Sequence, residues 1–177
     1  QKIIFYKSDL IIVNSVNEKK NLEKKINCKV NVIIIPHGIN INNKININVH
    51  KKSNLRFVFF SRIHPSKNLH KLIKLWKSDK FFYKYSLSVF GEITDLNYFK
   101  KLFYRSETNF KNIKYFGPLK KNLQKTLSKY DVFVMPSKSE NFGLVVLEAL
   151  SSGLFVLVNK DLPWKILERN HLGKSFV

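Results

Sequence analysis

The feature that most constrains the fold is an alternation of short apolar runs with longer stretches of helical spacing. Each run is rich in β-branched or aromatic residues and is too short for a buried helix. Near-continuous apolar strands that alternate with helices are typical of a parallel sheet covered on both faces. We therefore predict an α/β fold, a Rossmann-like parallel sheet with helices on both faces. The predicted strands are Leu55–Phe60, Leu87–Phe90, Ile113–Phe116, Val132–Met135 and Phe155–Val158, with Ser175–Val177 starting a sixth.

Three stretches between these runs carry apolar residues at the spacing of one helix face. Each of these faces is predicted to pack on the sheet. The inward positions are Leu69, Leu72, Ile73 and Trp76 in the first stretch, Leu96, Phe99 and Phe103 in the second, and Leu119, Leu123 and Leu127 in the third.

Two further apolar runs, Leu10–Val13 and Val32–Ile35, precede this alternation. Between them a helix is predicted to begin at Ser15 or Asn17, with Glu18 in its first turn. A chain of 177 residues has room for one full domain with a real core.

The segment Ile39–Ser53 mixes Asn, Ile and Lys without a clean period and is interpreted as a linker or surface loop. We predict that residues 1–50 are the tail of a preceding domain with this linker, and that residues 51–177 form the main domain. The sequence starts at Gln1 in what reads as the middle of a fold, so we expect a fragment or a truncated gene product.

The formal net charge of +20 favours an anionic partner such as a nucleic acid, a membrane surface or an acidic ligand. However, 28 of the 32 basic residues are Lys, which equally fits solvated surface positions. Because no Arg cluster with interleaved aromatics is present, we predict no nucleic-acid partner. The single cysteine, Cys28, fits a reducing cytoplasm. No apolar run is long enough for a membrane span, so any membrane contact is expected to be peripheral, at the inner face.

Polar or glycine-containing segments follow four of the predicted strands. Ligands of open parallel sheets bind at the carboxyl ends of strands, which makes these segments candidates for a site. They contain Arg62 and Lys67, Gly91-Glu92, Gly117-Pro118-Leu119, and the stretch PSKSENFG from Pro136 to Gly143. Arg62 and Lys67 could share one anion, although two solvated cations remain the alternative. His64 lies between them and is interpreted as an ordinary loop residue.

The stretch ENFGLVVLE, Glu140 to Glu148, places a carboxylate among leucines and valines. A helix is predicted to begin near Gly143, capped by Ser139, Glu140 or Asn141, with free N–H groups that favour anions. Leu144, Val145, Leu147 and Leu150 are predicted to pack on the sheet. An unpaired buried carboxylate at Glu148 would cost several kcal/mol or become protonated. Exposure to solvent, a basic partner or a ligand with hydroxyl groups would each remove that cost.

This stretch resembles the retaining glycosyltransferases of family four, whose C-terminal domain carries two glutamates separated by seven residues. Other segments resemble the same two-domain GT-B fold in the same order, although His37 stands where asparagine is usual. They are SDLIIVNSVNEKKNL (Ser8–Leu22), IIIPHGIN (Ile33–Asn40), FFSRIHPSKNLHKLIKLW (Phe59–Trp76) and the run from Lys114 to Gly153. The resemblance spans almost the whole chain.

The resemblance implies a role for each matching residue. Arg62 and Lys67 would bind the diphosphate of a nucleotide-sugar donor and stabilise the charge on the leaving group. Glu148 would accept hydrogen bonds from the ribose hydroxyls, and Glu140 would face the transferred sugar. The backbone of Asn141, Phe142, Gly143 and Leu144 would bind sugar hydroxyls or phosphate, and the segment from Tyr115 to Leu119, with Gly117 and Leu119, would line the base pocket. Since cations of the protein replace a metal ion in this family, we expect no metal and no other cofactor.

The resemblance also implies that the acceptor-binding N-terminal domain is largely missing from this chain. Three hypotheses therefore remain. The first is the donor-binding part of an enzyme that transfers a sugar to a saccharide or lipid-linked acceptor in glycan biosynthesis. The second is a truncated nucleotide-sugar-binding module without turnover. The third is a basic protein that binds nucleic acid or a membrane surface.

Overall fold

The structure, a computed structural model, describes residues 7–26, 30–39, 54–104, 111–119, 122–140 and 143–176. Cys28 and residues 40–53 of the predicted linker lie outside this part of the chain. Two compact units are distinguished. One consists of Gln1–Asn40 with Glu140–Leu144, and the other consists of Ile41–Ser139 with Val145–Val177.

The smaller unit contains two parallel strands, β1 (Leu10–Val13) and β2 (Asn31–Ile34), joined by helix α1 (Val16–Glu23). Ser15 caps the helix, since its side chain accepts a hydrogen bond of 3.1 Å from the Glu18 N–H. The Glu18 carboxylate in turn accepts one of 2.8 Å from the Asn14 N–H. The predicted strands and the helix start at Ser15 are confirmed.

The larger unit contains the predicted parallel sheet. Its strands follow the spatial order β5-β4-β3-β6-β7-β8, and every described pairing is parallel. The chain enters at β3, in the middle of the sheet, builds outward through β4 to β5, and then crosses back to β6. The order therefore reverses between β3 and β6, the place where open α/β sheets bind ligands. The bounds are β3 Arg56–Phe60, β4 Ser86–Phe90, β5 Ile113–Tyr115, β6 Val132–Met135, β7 Phe155–Asn159 and β8 Gly173–Phe176.

Helices cover both faces of this sheet, as predicted. One hydrophobic cluster contains Phe57 and Phe59 of β3 with residues of α2, and the other contains Val58 with residues of α6. This alternation follows from the opposite directions of successive side chains in a strand. The remaining described helices are α2 Leu69–Ser78, α3 Lys80–Tyr83, α4 Leu96–Phe103, α5 Leu123–Leu127, α6 Leu144–Ser151 and α7 Ile166–Arg169, and all but the first residue of α6 belong to the larger unit.

The predicted helix faces agree with the structure to different degrees. All four inward positions of α2, from Leu69 to Trp76, are buried. In α4 the buried residues are Phe99 and Leu102, whereas Leu96 is 56% exposed. Leu119 was placed on the helix of Leu123 and Leu127, but it precedes that helix and packs, partly buried, against the second cluster.

Candidate active site

The segments that follow β3, β4 and β6 share one edge of the sheet, because the three strands are adjacent and parallel. Arg62 and Lys67 follow β3, Gly91 follows β4, and Pro136 follows β6. The sheet therefore brings the carboxyl ends of these strands together at the point where the strand order reverses.

The segment after β3 is ordered by its own hydrogen bonds. The Nδ1 atom of His64 accepts a hydrogen bond of 3.2 Å from the Ser66 N–H and lies 2.9 Å from Ser66 Oγ. This caps a 3₁₀ turn, Pro65–Lys67, whose last N–H donates to the His64 carbonyl at 3.0 Å. His64 is thus a structural residue of the loop.

Arg62 and Lys67 differ sharply in their surroundings. Arg62 is exposed, whereas Lys67 is only 9% exposed. Lysine is rarely buried to this degree, because its ammonium must exchange water for acceptor groups. Of the two predicted cations, Lys67 is therefore the one fixed within the fold, and Arg62 is the one accessible from solvent.

A pair of hydrogen bonds ties this segment to the segment after β6. The side-chain amide of Asn68 donates to the Pro136 carbonyl at 2.9 Å, and the Lys138 N–H donates to the Ser66 carbonyl at 3.2 Å. Asn68 and Ser137 are both completely buried, and the Asn68 Oδ1 and Ser137 Oγ atoms have no hydrogen-bond partner among the residues that the structure describes. The sequence interpretation missed these two residues. The only signal for Asn68 was an asparagine before a helix, a residue type that tolerates left-handed backbone.

The ends of β4 and β5 approach each other through two glycines. The Gly91 N–H donates to the Gly117 carbonyl at 3.0 Å, and the Tyr115 hydroxyl donates to the Gly91 carbonyl at 2.7 Å. Gly91 also lies against β3, because a Cβ atom at this position would be 1.7 Å from the Ser61 carbonyl oxygen. A Cβ atom on Gly117 would meet none of the described atoms within 4 Å.

Glu148 lies on α6 on the side away from the sheet. Val146 and Ala149 are the buried residues of this helix, whereas Leu144 is 38% exposed. At about 100° per residue, Glu148 and Leu144 are both about 200° from Val146. Predicting Leu144 among the residues that pack on the sheet was therefore wrong, and Val145, Leu147 and Leu150 pack only partly buried against the second cluster.

The Glu148 carboxylate is nevertheless half-buried, and this burial raises its pKa. Among the described residues, none donates a hydrogen bond to this carboxylate or forms an ion pair with it. Solvent exposure, a basic partner or a ligand with hydroxyl groups was predicted to relieve the cost of this carboxylate, and a basic partner is not observed among the described residues. What remains is a partly desolvated acceptor group at the surface.

The other predicted site residues precede α6. Glu140 is half-buried, and Gly143 has a positive φ of 73°, which favours glycine directly before the helix. Asn141 and Phe142 lie outside the described residues. The stretch Glu140–Leu144 groups with the smaller unit. The roles predicted for all these residues stay predictions.

Two further properties bear on function. Within the described ranges, no group of three or more His, Cys, Asp or Glu side chains could hold a metal ion. Over the same ranges, none of the helices combines the length and the apolar character needed to cross a membrane.

The family described as glycosyl transferases group 1 matches residues 40–165, which is well over half of the chain. The chain belongs to this family. A relative of this group 1 glycosyl transferase, the uncharacterized glycosyltransferase YqgM of Bacillus subtilis (strain 168), is 27% identical over 170 residues. The match covers 91% of this chain and 45% of that relative.

Solved structures of glycosyltransferases share the fold of this group 1 glycosyl transferase, a parallel sheet flanked by helices. The pneumococcal O-GlcNAc transferase GtfA, in complex with UDP and GlcNAc, matches with a TM-score of 0.72 at 22% identity, over 93% of this chain and 32% of GtfA. Anabaena Alr3699/HepE, in complex with UDP and glucose, matches with a TM-score of 0.70 at 21% identity, over 86% of this chain and 45% of HepE. The chain spans less than half the length of each of these proteins. The predicted fold class is confirmed.

Proposed function

We propose that this group 1 glycosyl transferase is the donor-binding part of a retaining enzyme of family four. It would transfer a sugar from a nucleotide-diphosphate sugar to a saccharide or lipid-linked acceptor in polysaccharide or glycan biosynthesis. The observation that carries the proposal is the half-buried Glu148 carboxylate, which has no partner among the described residues. Hydroxyl groups of a bound ribose would supply the hydrogen bonds that the protein leaves unmade.

Arg62 and Lys67 would act on the diphosphate. In the transfer, the bond between the anomeric carbon and the phosphate oxygen breaks, and its electron pair leaves with the nucleoside diphosphate. An acceptor hydroxyl oxygen forms the new bond on the same face of the sugar and gives up its proton to the departing phosphate oxygen. The buried Lys67 and the exposed Arg62 at the leaving group would stabilise the developing negative charge without a metal ion. Glu140 would face the transferred sugar, and Gly143 would let the backbone approach the donor closely.

The proposal is tested by calorimetric titration of the 177-residue chain with UDP-, GDP- and ADP-glucose. At least one donor is expected to bind, and Arg62→Ala and Glu148→Gln are each expected to weaken that binding by about tenfold, the loss of one charge-assisted hydrogen bond. Arg169→Ala on α7 and Glu23→Gln on α1 are matched controls at exposed positions. Their affinities should stay within about twofold of the wild-type value. Absence of binding to all three donors, together with strong salt-dependent DNA binding, would favour the basic-protein hypothesis instead.

Turnover separates the enzyme from a binding module. The alternative is a nucleotide-sugar-binding module without turnover. Donor hydrolysis or transfer to an added saccharide would favour the enzyme. Binding without either reaction would favour the module.

We place the protein in the cytoplasm, with peripheral contact at the inner face of the membrane. An exposed surface of α4 supports this contact, since an open apolar groove of about 520 Å³ is lined by Ile93, Leu96, Phe99, Lys100 and Tyr104. Apolar and aromatic side chains beside lysine suit an anionic lipid surface. Leu96→Ser with Tyr104→Ser should reduce co-sedimentation with phosphatidylglycerol vesicles, whereas Ile166→Ser, at an exposed position on α7, should not. Equal binding by all variants would contradict the assignment of α4.

A further inference from the structure

Asn68 occupies a position that its conformation and burial make costly. It follows Lys67 directly, ends the 3₁₀ turn and starts α2, with a left-handed φ of 55°. The residue is completely buried, yet its Oδ1 atom has no hydrogen-bond partner within the described part of the chain. An unsatisfied buried carbonyl costs about 1–3 kcal/mol. Because the left-handed backbone and the unsatisfied Oδ1 atom both lower stability, we look for a functional reason for asparagine at this position.

The contact made by the Asn68 amide supplies that explanation. Its Nδ2 atom lies 2.9 Å from the Pro136 carbonyl oxygen. Because a carbonyl can only accept, the amide orientation is fixed, with the NH₂ group toward Pro136 and Oδ1 directed elsewhere. The bond joins the residue after Lys67 to the first residue after β6, across 68 positions of the chain.

A second hydrogen bond, between backbone atoms, joins the same two segments, and we call the two bonds together the brace. The Lys138 N–H donates to the carbonyl of Ser66, the residue before Lys67, at 3.2 Å. The 3₁₀ turn that carries Lys67 is therefore held on both sides of the lysine. Removing the Asn68 amide would break one of these two bonds, and the Lys67 backbone could then move relative to the end of β6.

We propose that Asn68 is a positioning residue, which sets the place of Lys67 at the diphosphate of the donor by tying the 3₁₀ turn to Pro136. This inference rests on the proposed function. Asn68 would not touch the donor itself. A displacement of about 1 Å in the Lys67 ammonium is enough to weaken its contact with a phosphate oxygen, so losing the Asn68 hydrogen bond of the brace would act on phosphate binding.

Two substitutions remove the amide donor and keep the left-handed backbone accessible. Asn68→Gly deletes the side chain, and Gly adopts positive φ without strain. Asn68→Asp keeps the shape but presents an oxygen to the Pro136 carbonyl in place of the NH₂ group. Asn122 is a matched control, because it also has a left-handed φ of 56° at the start of a helix, without a side-chain cap bond, but is exposed. Asn122→Gly and Asn122→Asp therefore measure what the same substitutions do at a left-handed helix start where no side-chain cap bond is lost.

The readout compares a nucleoside diphosphate with the nucleoside that lacks its phosphates, using whichever of UDP, GDP and ADP the wild-type chain binds. Asn68→Gly and Asn68→Asp are expected to weaken diphosphate binding by about tenfold and nucleoside binding by less than about twofold. Tryptophan emission from Trp76 and Trp164, both buried in the larger unit, verifies that each variant is folded. The Asn122 variants should change neither affinity.

A double-mutant cycle with Lys67→Ala identifies the route of the effect. If Asn68 acts through Lys67, Asn68→Gly should cause almost no further loss of diphosphate binding in the Lys67→Ala background. Additive losses, or equal losses for diphosphate and nucleoside, would overturn the positioning role and leave the proposed function intact. A wild-type chain that binds none of the three diphosphates would overturn the proposed function, and the positioning role with it.

Discussion

At the scale of single residues, Glu148 shows how a functional group can oppose stability. Its carboxylate is half-buried, has no partner among the described residues, and carries a raised pKa because burial disfavours the charged form. A residue chosen for stability alone would be uncharged here. The unfavourable charge is understandable if a ligand completes its hydrogen bonds.

Glu148→Gln is therefore expected to stabilise the free protein at neutral pH, by ~0.5 kcal/mol because solvent screens a half-exposed charge. Since the pKa of Glu148 is raised by folding, the folded protein binds this proton more tightly than the unfolded chain does. Wild-type stability should thus fall as pH rises from below the usual glutamate pKa through the raised one. The advantage of Glu148→Gln should grow over the same window and then stay constant.

Urea denaturation of both proteins between about pH 4 and pH 8 measures this difference, and donor titration on the same samples should show weaker binding by the variant. Glu23→Gln, on the smaller unit, is the control for a change of net charge. A variant that is less stable than the wild type at neutral pH would contradict the burial argument.

The sequence could nominate site residues but not their environments. Arg62 and Lys67 were identified because they follow an apolar strand, a local property of the chain. That Lys67 is buried and Arg62 exposed depends on contacts made by distant segments. Asn68 was missed for the same reason, because its partner Pro136 is brought to it only by the pairing of β3 with β6.

At the scale of elements, the carboxyl ends of β3 and β4 are packed so closely that only glycine fits at one position. Gly91 has a φ of 151°, and its Cα faces the Ser61 carbonyl. Gly117, at the end of β5, also has a positive φ, of 83°, but has open space around it. Glycine is therefore required at Gly91 by both close packing and backbone conformation, and at Gly117 by backbone conformation alone.

Gly91→Ala is expected to lower the free energy of unfolding by about 3 kcal/mol or more, since the new Cβ atom would force the ends of β3 and β4 apart. Gly117→Ala should cost only about 1 kcal/mol, the penalty of a left-handed conformation for alanine. Chemical denaturation of the two variants measures both values. Equal destabilisation would mean that the contact with Ser61 relaxes without cost.

Strands were predicted more accurately than helix faces, and the cause lies in their patterns. The run of β6 lies between Asp131 and Pro136, so its bounds follow from the sequence. The sequence of α6, LVVLEALS, is apolar around most of its circumference, so hydrophobic spacing alone cannot say which side faces the sheet. Only the structure shows that Val146 and Ala149 are buried and that Leu144 is exposed.

At the scale of the whole molecule, the two units differ in how far the apolar side chains of their strands are buried. In the smaller unit Val13 is buried, but Ile12 is 58% exposed and the apolar residues of β2 are largely exposed. Strands β3, β4 and β6 are buried on both faces. Sheet order was not predictable from the list of strands, because the same runs are compatible with other orders. It is the order, with β3 between β4 and β6, that assembles the candidate site.

Because a two-stranded sheet with little burial is marginally stable, the amides of β1 and β2 should exchange with solvent much faster than those of β3, β4 and β6.

Two matched substitutions at buried valines test whether the two units unfold separately. Val13→Ala should speed exchange in β1 and β2 without shifting unfolding monitored by tryptophan emission, since Trp76 and Trp164 both belong to the larger unit. Val58→Ala should lower the stability measured by tryptophan emission by about 2 kcal/mol, from lost burial and the cavity left behind. Hydrogen exchange with mass spectrometry resolves the two regions. Equal protection of β1 and β4, or a tryptophan transition shifted by Val13→Ala, would show that the chain unfolds as one cooperative body.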